Sequence, residues 1–193
     1  SQGFLRLEVA LSTTKTLYQF PILQNDNTNG PAFNTENRLA LQDAFYVSSM
    51  ALFFAKPSSS TDSTFQLVTY PNASIFTTAN TATSLYNWYN SSLSLTVNNR
   101  QILPSYDMYR HYSVPQQQTT ANAQYATSGI NYKDQQEGST SGFYPIEPGW
   151  VLVGSKNNVL QVTLPNNMTA VETNSRAVII FRGHLAQNVT PVR

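Results

Sequence analysis

The sequence contains no cysteine and few charged residues. Among its 193 residues only 11% are Asp, Glu, Lys or Arg, against roughly 25% in an average soluble domain. The lack of cysteine excludes disulfides, thiolate nucleophiles and cysteine-based zinc sites. Covalent cross-links therefore contribute nothing to stability, which must come from packing or from association with other chains.

Neither sign of charge dominates. There are 11 Lys and Arg residues against 10 Asp and Glu, which gives a net charge of +1, and no three basic residues follow one another. The chain therefore lacks the positive electrostatic potential that attracts the phosphate backbone of nucleic acids. We expect no specific nucleic-acid binding. No apolar run approaches the roughly 20 residues that span a bilayer, so we expect no transmembrane segment.

Metal-binding patterns are also missing. The two histidines, His111 and His184, form no HxH, HExxH or HxxxH spacing. Such spacings place two imidazoles on one side of a strand or helix, where both can reach a metal ion. We therefore expect no metal site and no cofactor.

Uncharged polar residues take the place of the charges. Ser, Thr, Asn and Gln make up more than a third of the chain. These side chains form hydrogen bonds but do not titrate, so their contacts depend little on pH or salt. Such a surface suits packing against copies of the same chain, or against sugars, better than it suits catalysis.

The apolar residues follow a period of two in short segments, which predicts strands. Leu5, Leu7, Val9 and Leu11 share one face, and Arg6, Glu8 and Ala10 share the other, which predicts a half-buried strand. The pattern also predicts strands at 16–23, a bent strand within 38–56, a hairpin at 92–104 and strands at 150–153, 159–164 and 176–185.

No βαβ alternation and no fixed repeat is present. Residues 84–89 predict a single helical turn, and long loops of turn-forming residues are expected at 24–37, 57–64 and 113–142. Long loops that alternate with hairpins favour a jelly roll. We predict an all-β fold, a single jelly-roll-type β-sandwich of about eight strands with long surface loops, in which residues 1–193 form one domain.

One dense cluster of aromatic and polar residues predicts a contact surface. Tyr and Arg are enriched at protein interfaces, where a rigid ring buries area at low entropic cost. The alternative is that these rings cover one edge of a sheet, and the sequence does not separate the two. The predicted interface residues are Tyr106, Tyr109, Arg110, His111 and Tyr112.

The same region also holds the residue types of a hydrolase. A Ser-His-Asp site could be drawn from Ser105, Asp107 and His111, but no GxSxG nucleophile motif is present. Glu147 lies between two prolines and could act in a glycosidase pair, yet no second carboxylate stands in a matching context. We therefore predict that the protein is not an enzyme and has no catalytic residues.

A second aromatic cluster predicts a sugar-stacking site. Tyr86, Trp88 and Tyr89 lie among asparagines, and carbohydrate modules stack sugar rings on exposed aromatic side chains. The alternative, which we favour, is a hydrophobic plug beneath a loop, because large aromatic residues most often contribute to cores.

Three segments of the chain resemble jelly-roll structural proteins of icosahedral bacterial viruses. They are residues 95–104, 149–155 and 158–165, which combine polar-rich strands with tight turns. The resemblance implies a bacteriophage capsid or capsid-associated protein in the virion, with copies of itself and other virion proteins as partners and long loops making the contacts. The alternative is a carbohydrate-binding β-sandwich module of an adhesin or fibre.

Two features depart from that resemblance. Double jelly-roll capsid proteins are longer, so this chain has room for one jelly roll. Capsid proteins that line a genome often carry a basic arm, and no such run of Lys and Arg occurs in this sequence.

Overall fold

Strands dominate the structure, a computed structural model that describes residues 2–24, 38–39, 43–59, 67, 84–98, 100–112 and 143–187. The predicted loops at 24–37, 57–64 and 113–142 lie outside these ranges, except for Gln24 and residues 57–59. The elements are β1 (Gln2–Ala10), β2 (Leu17–Gln24), β3 (Arg38–Leu39), β4 (Ala44–Ala55), the 3₁₀ helix η1 (Leu85–Asn90), β5 (Ser92–Val97), β6 (Arg100–Asp107), β7 (Phe143–Val153), β8 (Asn158–Thr163) and β9 (Arg176–Ala186).

The strands form two sheets. The first sheet has the order β1-β9-β4-β7, and the second has the order β3-β2-β8-β5-β6. All pairs are antiparallel except β2 with β3, where two residues pair in parallel at the edge. If the two-residue strand β3 is set aside and the eight remaining strands are renumbered 1 to 8 along the chain, the two sheets have the orders 1-8-3-6 and 2-7-4-5. This is the strand order of a jelly roll, so the predicted fold class is confirmed.

The core lies between the two sheets. Successive side chains of a strand point to opposite faces of its sheet, so one side of each strand faces the core. On β1, Leu5 and Leu7 are buried as predicted. They meet the inward side chains of β4, β5, β8 and β9, which include Leu52, Phe54, Leu93, Leu95, Leu160, Val162, Ile179 and Phe181.

Part of the outer face of the first sheet is buried as well. Phe53 of β4 lies beside Val178 and Ile180 of β9 in a second apolar cluster, together with Leu67 and Phe143. The sequence pattern of β1 predicts a solvent-facing side with Arg6, Glu8 and Ala10. Ala10 is exposed as predicted, whereas Glu8 is buried. The apolar residues of β4 and β9 continue onto the outer face, where they form this second cluster with Leu67 and Phe143.

Glu8 lies on the same outer face as this second apolar cluster, and its side chain is fully buried. Its carboxylate lies 2.6 Å from Arg6 Nε and 3.4 Å from Arg176 Nη1. Burial raises the pKa of Glu8 above its ordinary value, although the two guanidinium groups oppose the shift. A buried carboxylate is tolerated only with such partners, and Arg176 in turn donates to the carbonyl oxygen of Ser59 at 3.2 Å.

A bulge bends β4, as the sequence predicts for this segment. Val47 pairs with Gly183 and Ser49 pairs with Arg182, so Ser48 is the extra residue. The Ser48 hydroxyl donates to the carbonyl oxygen of Arg182 at 3.0 Å. The bulged backbone comes so near β9 that a Cβ on Gly183 would lie 1.7 Å from the carbonyl oxygen of Tyr46.

The edge strand β7 begins at Phe143, several residues before the predicted start at Trp150. The added part of the strand contains Pro145 and Pro148, which have no backbone N–H to donate. Prolines are tolerated here because β7 lies at the edge of the sheet formed by the described strands, and edge strands accept residues that cannot donate. The pairing with β4 passes from Trp150 directly to Pro145, so residues 146–149 bulge out of the ladder.

The bulge makes Gly183 a sensitive position. We expect Gly183→Ala to lower the free energy of unfolding by about 3 kcal/mol, the upper end of the range for overpacking, because the added methyl meets rigid backbone. Urea denaturation measures the change. The matched control is Gly3→Ala, whose methyl would meet a Phe45 ring carbon at 3.3 Å. Equal losses for the two variants would contradict the proposed close approach.

Candidate functional site

A short turn follows β6 and carries most of the predicted interface residues. The Asp107 carboxylate accepts the backbone N–H of Tyr109 at 2.9 Å. The N–H groups of His111 and Tyr112 donate to the carbonyl oxygens of Met108 and Tyr109, each at 3.0 Å. The chain therefore coils tightly at this point, with Met108 and His111 directed toward the core and Tyr109 and Arg110 toward solvent.

This turn divides the predicted interface in two. Tyr106 is only 6% exposed and His111 is fully buried, so neither belongs to the surface. Tyr109 is 45% exposed and stacks on Tyr112 with ring centroids 5.3 Å apart. Tyr109, Arg110 and Tyr112 thus remain as candidates for a contact surface, while Tyr106 and His111 support them from below.

His111 is held in an aromatic enclosure. Its Nε2 atom is 3.1 Å from the Tyr106 hydroxyl, and its ring lies 5.8 Å from that of Tyr144. Burial and, to a smaller extent, the nearby Arg110 guanidinium lower the pKa of His111 to about 3. The imidazole is therefore neutral over the whole physiological range.

The structure does not bring Ser105, His111 and Asp107 together as a Ser-His-Asp site. The hydrogen-bond partner of His111 is Tyr106, and neither Ser105 nor Asp107 bonds to the imidazole. Asp107 instead accepts the N–H of Tyr109. Residues that are close in the chain are separated here because β6 sends Ser105 and Asp107 to its exposed side and Tyr106 to its buried side.

The second aromatic cluster lies in the core. Trp88 and Tyr89 of η1 are fully buried, and Tyr86 is partly buried. The Trp88 ring contacts Tyr18 and Phe20 of β2 and Phe54 of β4, with centroid distances of 5.0, 6.3 and 6.2 Å. The sugar-stacking hypothesis is wrong for Trp88 and Tyr89, because neither ring reaches solvent. The plug interpretation agrees with their position.

A cleft that the sequence does not predict lies between the edge strands β6 and β7. It has a volume of about 660 Å³. The bulge of β7 forms one wall, and the other comes from β6 and the turn after it. Its lining residues are Ser105, Tyr106, Arg110, Tyr144, Pro145, Ile146, Glu147, Pro148, Gly149 and Trp150. The only sequence signal is Glu147 between two prolines, which carries no information about the facing strand.

The walls of this cleft are held by aromatic contacts. Trp150 packs edge-on against Tyr106 at 5.5 Å and against Phe181 at 6.0 Å. The Arg110 guanidinium lies 4.9 Å from the centre of the Tyr106 ring. Burial raises the pKa of the Tyr106 phenol, so it stays protonated. The cleft therefore has a rigid floor beneath exposed polar groups.

The described residues offer neither a metal site nor a membrane-spanning helix. No group of three His, Asp or Glu side chains in these residues could hold a metal ion. No helix within the described ranges is long and apolar enough to cross a membrane.

Comparison with known proteins adds no relative. No family model matches the chain, and no curated protein or solved structure matches it either.

The position of His111 predicts a dependence of stability on pH. An imidazole in the unfolded chain titrates near pH 6.5, whereas the pKa of folded His111 is about 3. Between these values the unfolded state binds the additional proton, so stability falls as the pH is lowered from about 6.5 toward 3. The groups that face the ring are Arg110, Tyr106 and Tyr144.

Thermal unfolding across this pH range tests the effect. We expect His111→Phe, which fills similar space and does not titrate, to flatten the decline in Tm. The control is His184→Phe at an exposed position, which should leave the shape of the curve unchanged. If the Tm of His111→Phe fell with pH as steeply as that of the wild type, His111 would not be the group responsible.

The buried position of Trp88 predicts a large loss of stability on truncation. We expect Trp88→Ala to lower the free energy of unfolding by about 3–5 kcal/mol, since contacts to both sheets are lost and a cavity remains. Denaturation in guanidinium chloride measures it. The control is Tyr109→Ala at an exposed aromatic residue, expected to change stability by no more than about 0.5 kcal/mol. A loss of unfolding free energy as small as that of the control would contradict the interpretation of Trp88 as a hydrophobic plug in the core.

Proposed function

We propose that this protein is a virion structural subunit, a capsid or capsid-associated protein of a bacterial virus that assembles with copies of itself and with other virion proteins. The observation that carries the proposal is the strand order β1-β9-β4-β7 and β2-β8-β5-β6. Jelly rolls of this kind build viral capsids, but they also occur in lectins and cupins. Fold alone does not decide among these functions, so the surface must supply the remaining support.

The outer face of the second sheet suits contact between subunits. One row across it contains Gln19, Gln161 and Ser94, which are neighbours on β2, β8 and β5. The next row contains Leu17, Thr163 and Ser92 in the same order. None of these six residues is charged, so a partner surface can approach without displacing tightly hydrated ions.

The first sheet offers a second exposed area at its opposite end. Tyr46 and Val151 are cross-strand partners on β4 and β7, and they are 45% and 53% exposed. His184 of β9 lies on the other side of Tyr46. Adjacent large apolar side chains that stay exposed in a monomer favour burial against another chain.

The surface chemistry also favours assembly through many weak contacts. Polar amide and hydroxyl groups make hydrogen bonds of about 1 kcal/mol each. Contacts of this strength let misplaced subunits dissociate, whereas many of them together hold a correct lattice. The near-balance of charge, +1 overall, adds little repulsion between copies.

The oligomeric state tests the proposal. We expect the purified protein to form symmetric oligomers in analytical ultracentrifugation, or to co-purify with particles. Val151→Asp and Gln161→Glu place a charge on the two candidate faces, and at least one should weaken association about tenfold or more.

The matched control adds the same charge elsewhere. Ser155→Asp lies in the exposed turn between β7 and β8, and it should leave the sedimentation profile unchanged. A protein that remains monomeric at high concentration and is absent from particles would contradict the proposed function.

A further inference from the structure

The cleft between β6 and β7 has the form of a small-molecule site. Ligand sites are concave, occupy roughly 300–1,000 Å³ and combine apolar walls with a few polar groups. This cleft has a volume of about 660 Å³ and is lined by the rings of Tyr144 and Trp150 together with the polar side chains of Ser105, Arg110 and Glu147. Its floor is fixed by the packing of Tyr106 against Trp150.

Several polar groups in the lining are available for a ligand. Glu147 is exposed and forms no hydrogen bond or ion pair in the described part of the chain. The same holds for the Ser105 and Tyr144 hydroxyls and the Trp150 indole N–H. Acceptors and donors therefore converge around aromatic rings, an arrangement that fits a molecule with both hydroxyl groups and an apolar face.

The charges in the cleft indicate that this molecule is neutral. Among the described lining residues, Arg110 and Glu147 carry charges, and their charges are opposite. An anionic ligand would meet the carboxylate of Glu147, and a cationic ligand would meet the guanidinium of Arg110. A neutral polyol avoids both repulsions and can still donate hydroxyl hydrogens to Glu147 and accept a hydrogen bond from Arg110.

We propose that this cleft binds a neutral saccharide of one or two residues. The C–H face of the sugar packs on the rings of Trp150 and Tyr144, and Glu147 accepts hydrogen bonds from sugar hydroxyls. A proline-rich peptide would also suit aromatic walls, but it offers no hydroxyl groups to the Glu147 carboxylate. This binding goes beyond the proposed structural role and does not depend on it.

Intrinsic fluorescence provides a direct measurement. The chain has two tryptophans. Trp88 is fully buried in the core, whereas Trp150 lines the cleft, so a ligand there changes the emission of Trp150 alone. The probes are defined neutral mono- and disaccharides of glucose, galactose, mannose and N-acetylhexosamines. Sialylated and uronic sugars and a proline-rich peptide form the comparison set, with each probe titrated to about 10 mM, the weak end of specific binding.

We expect at least one neutral saccharide to shift the emission in a saturable manner. Glu147→Gln keeps the size of the side chain but removes the carboxylate, and it should weaken binding at least about tenfold. Tyr144→Phe should weaken it less. The matched control is Asp107→Asn, which changes a carboxylate outside the cleft and should leave the affinity unchanged. Circular dichroism verifies that each variant is folded.

Three outcomes would overturn the proposal. They are no response to any neutral saccharide, a preference for acidic sugars or the peptide, and an unchanged affinity in Glu147→Gln. Sedimentation of Glu147→Gln is measured in parallel. Loss of sugar binding with retained association separates this site from the assembly surfaces.

Discussion

The contact of Trp88 with both sheets is the interaction on which the rest of the structure depends. Two facing sheets need side chains large enough to fill the space between them, and η1 supplies the largest of these from outside the strands. The indole meets Tyr18 and Phe20 on one sheet and Phe54 on the other. Because these rings meet at tilted and edge-on angles, they set the spacing of the sheets with little freedom to slide.

A second aromatic bridge holds the sheets at the opposite edge, where β6 and β7 have no further neighbours. Trp150 on β7 reaches Tyr106 on β6, and Tyr106 in turn holds His111. This bridge supports the cleft from below while the bulge of β7 opens it from above. The cleft and the turn after β6 therefore share one rigid foundation, although they expose different residues to solvent.

Alternation in the sequence was enough to predict the strands and the fold class, because a period of two reports directly on burial. It could not predict that Glu8 is buried, since its partner Arg176 and the apolar residues of that face lie on β9 and β4, far from Glu8 in the chain. The same limit applies to His111 and Trp88, whose neighbours lie on distant strands. The cleft was missed because it joins two segments of the chain, and Glu147 alone indicates nothing about the strand that faces it.

The outer faces of the two sheets differ chemically, so the two sides of the molecule are not equivalent. The outer face of one sheet carries the second apolar cluster and the buried Glu8 carboxylate, and that of the other carries uncharged amide and hydroxyl groups. Copies placed side by side in the same orientation would form a layer with two chemically different sides. Such a layer would have an intrinsic direction, because every copy would turn the same face to the same side.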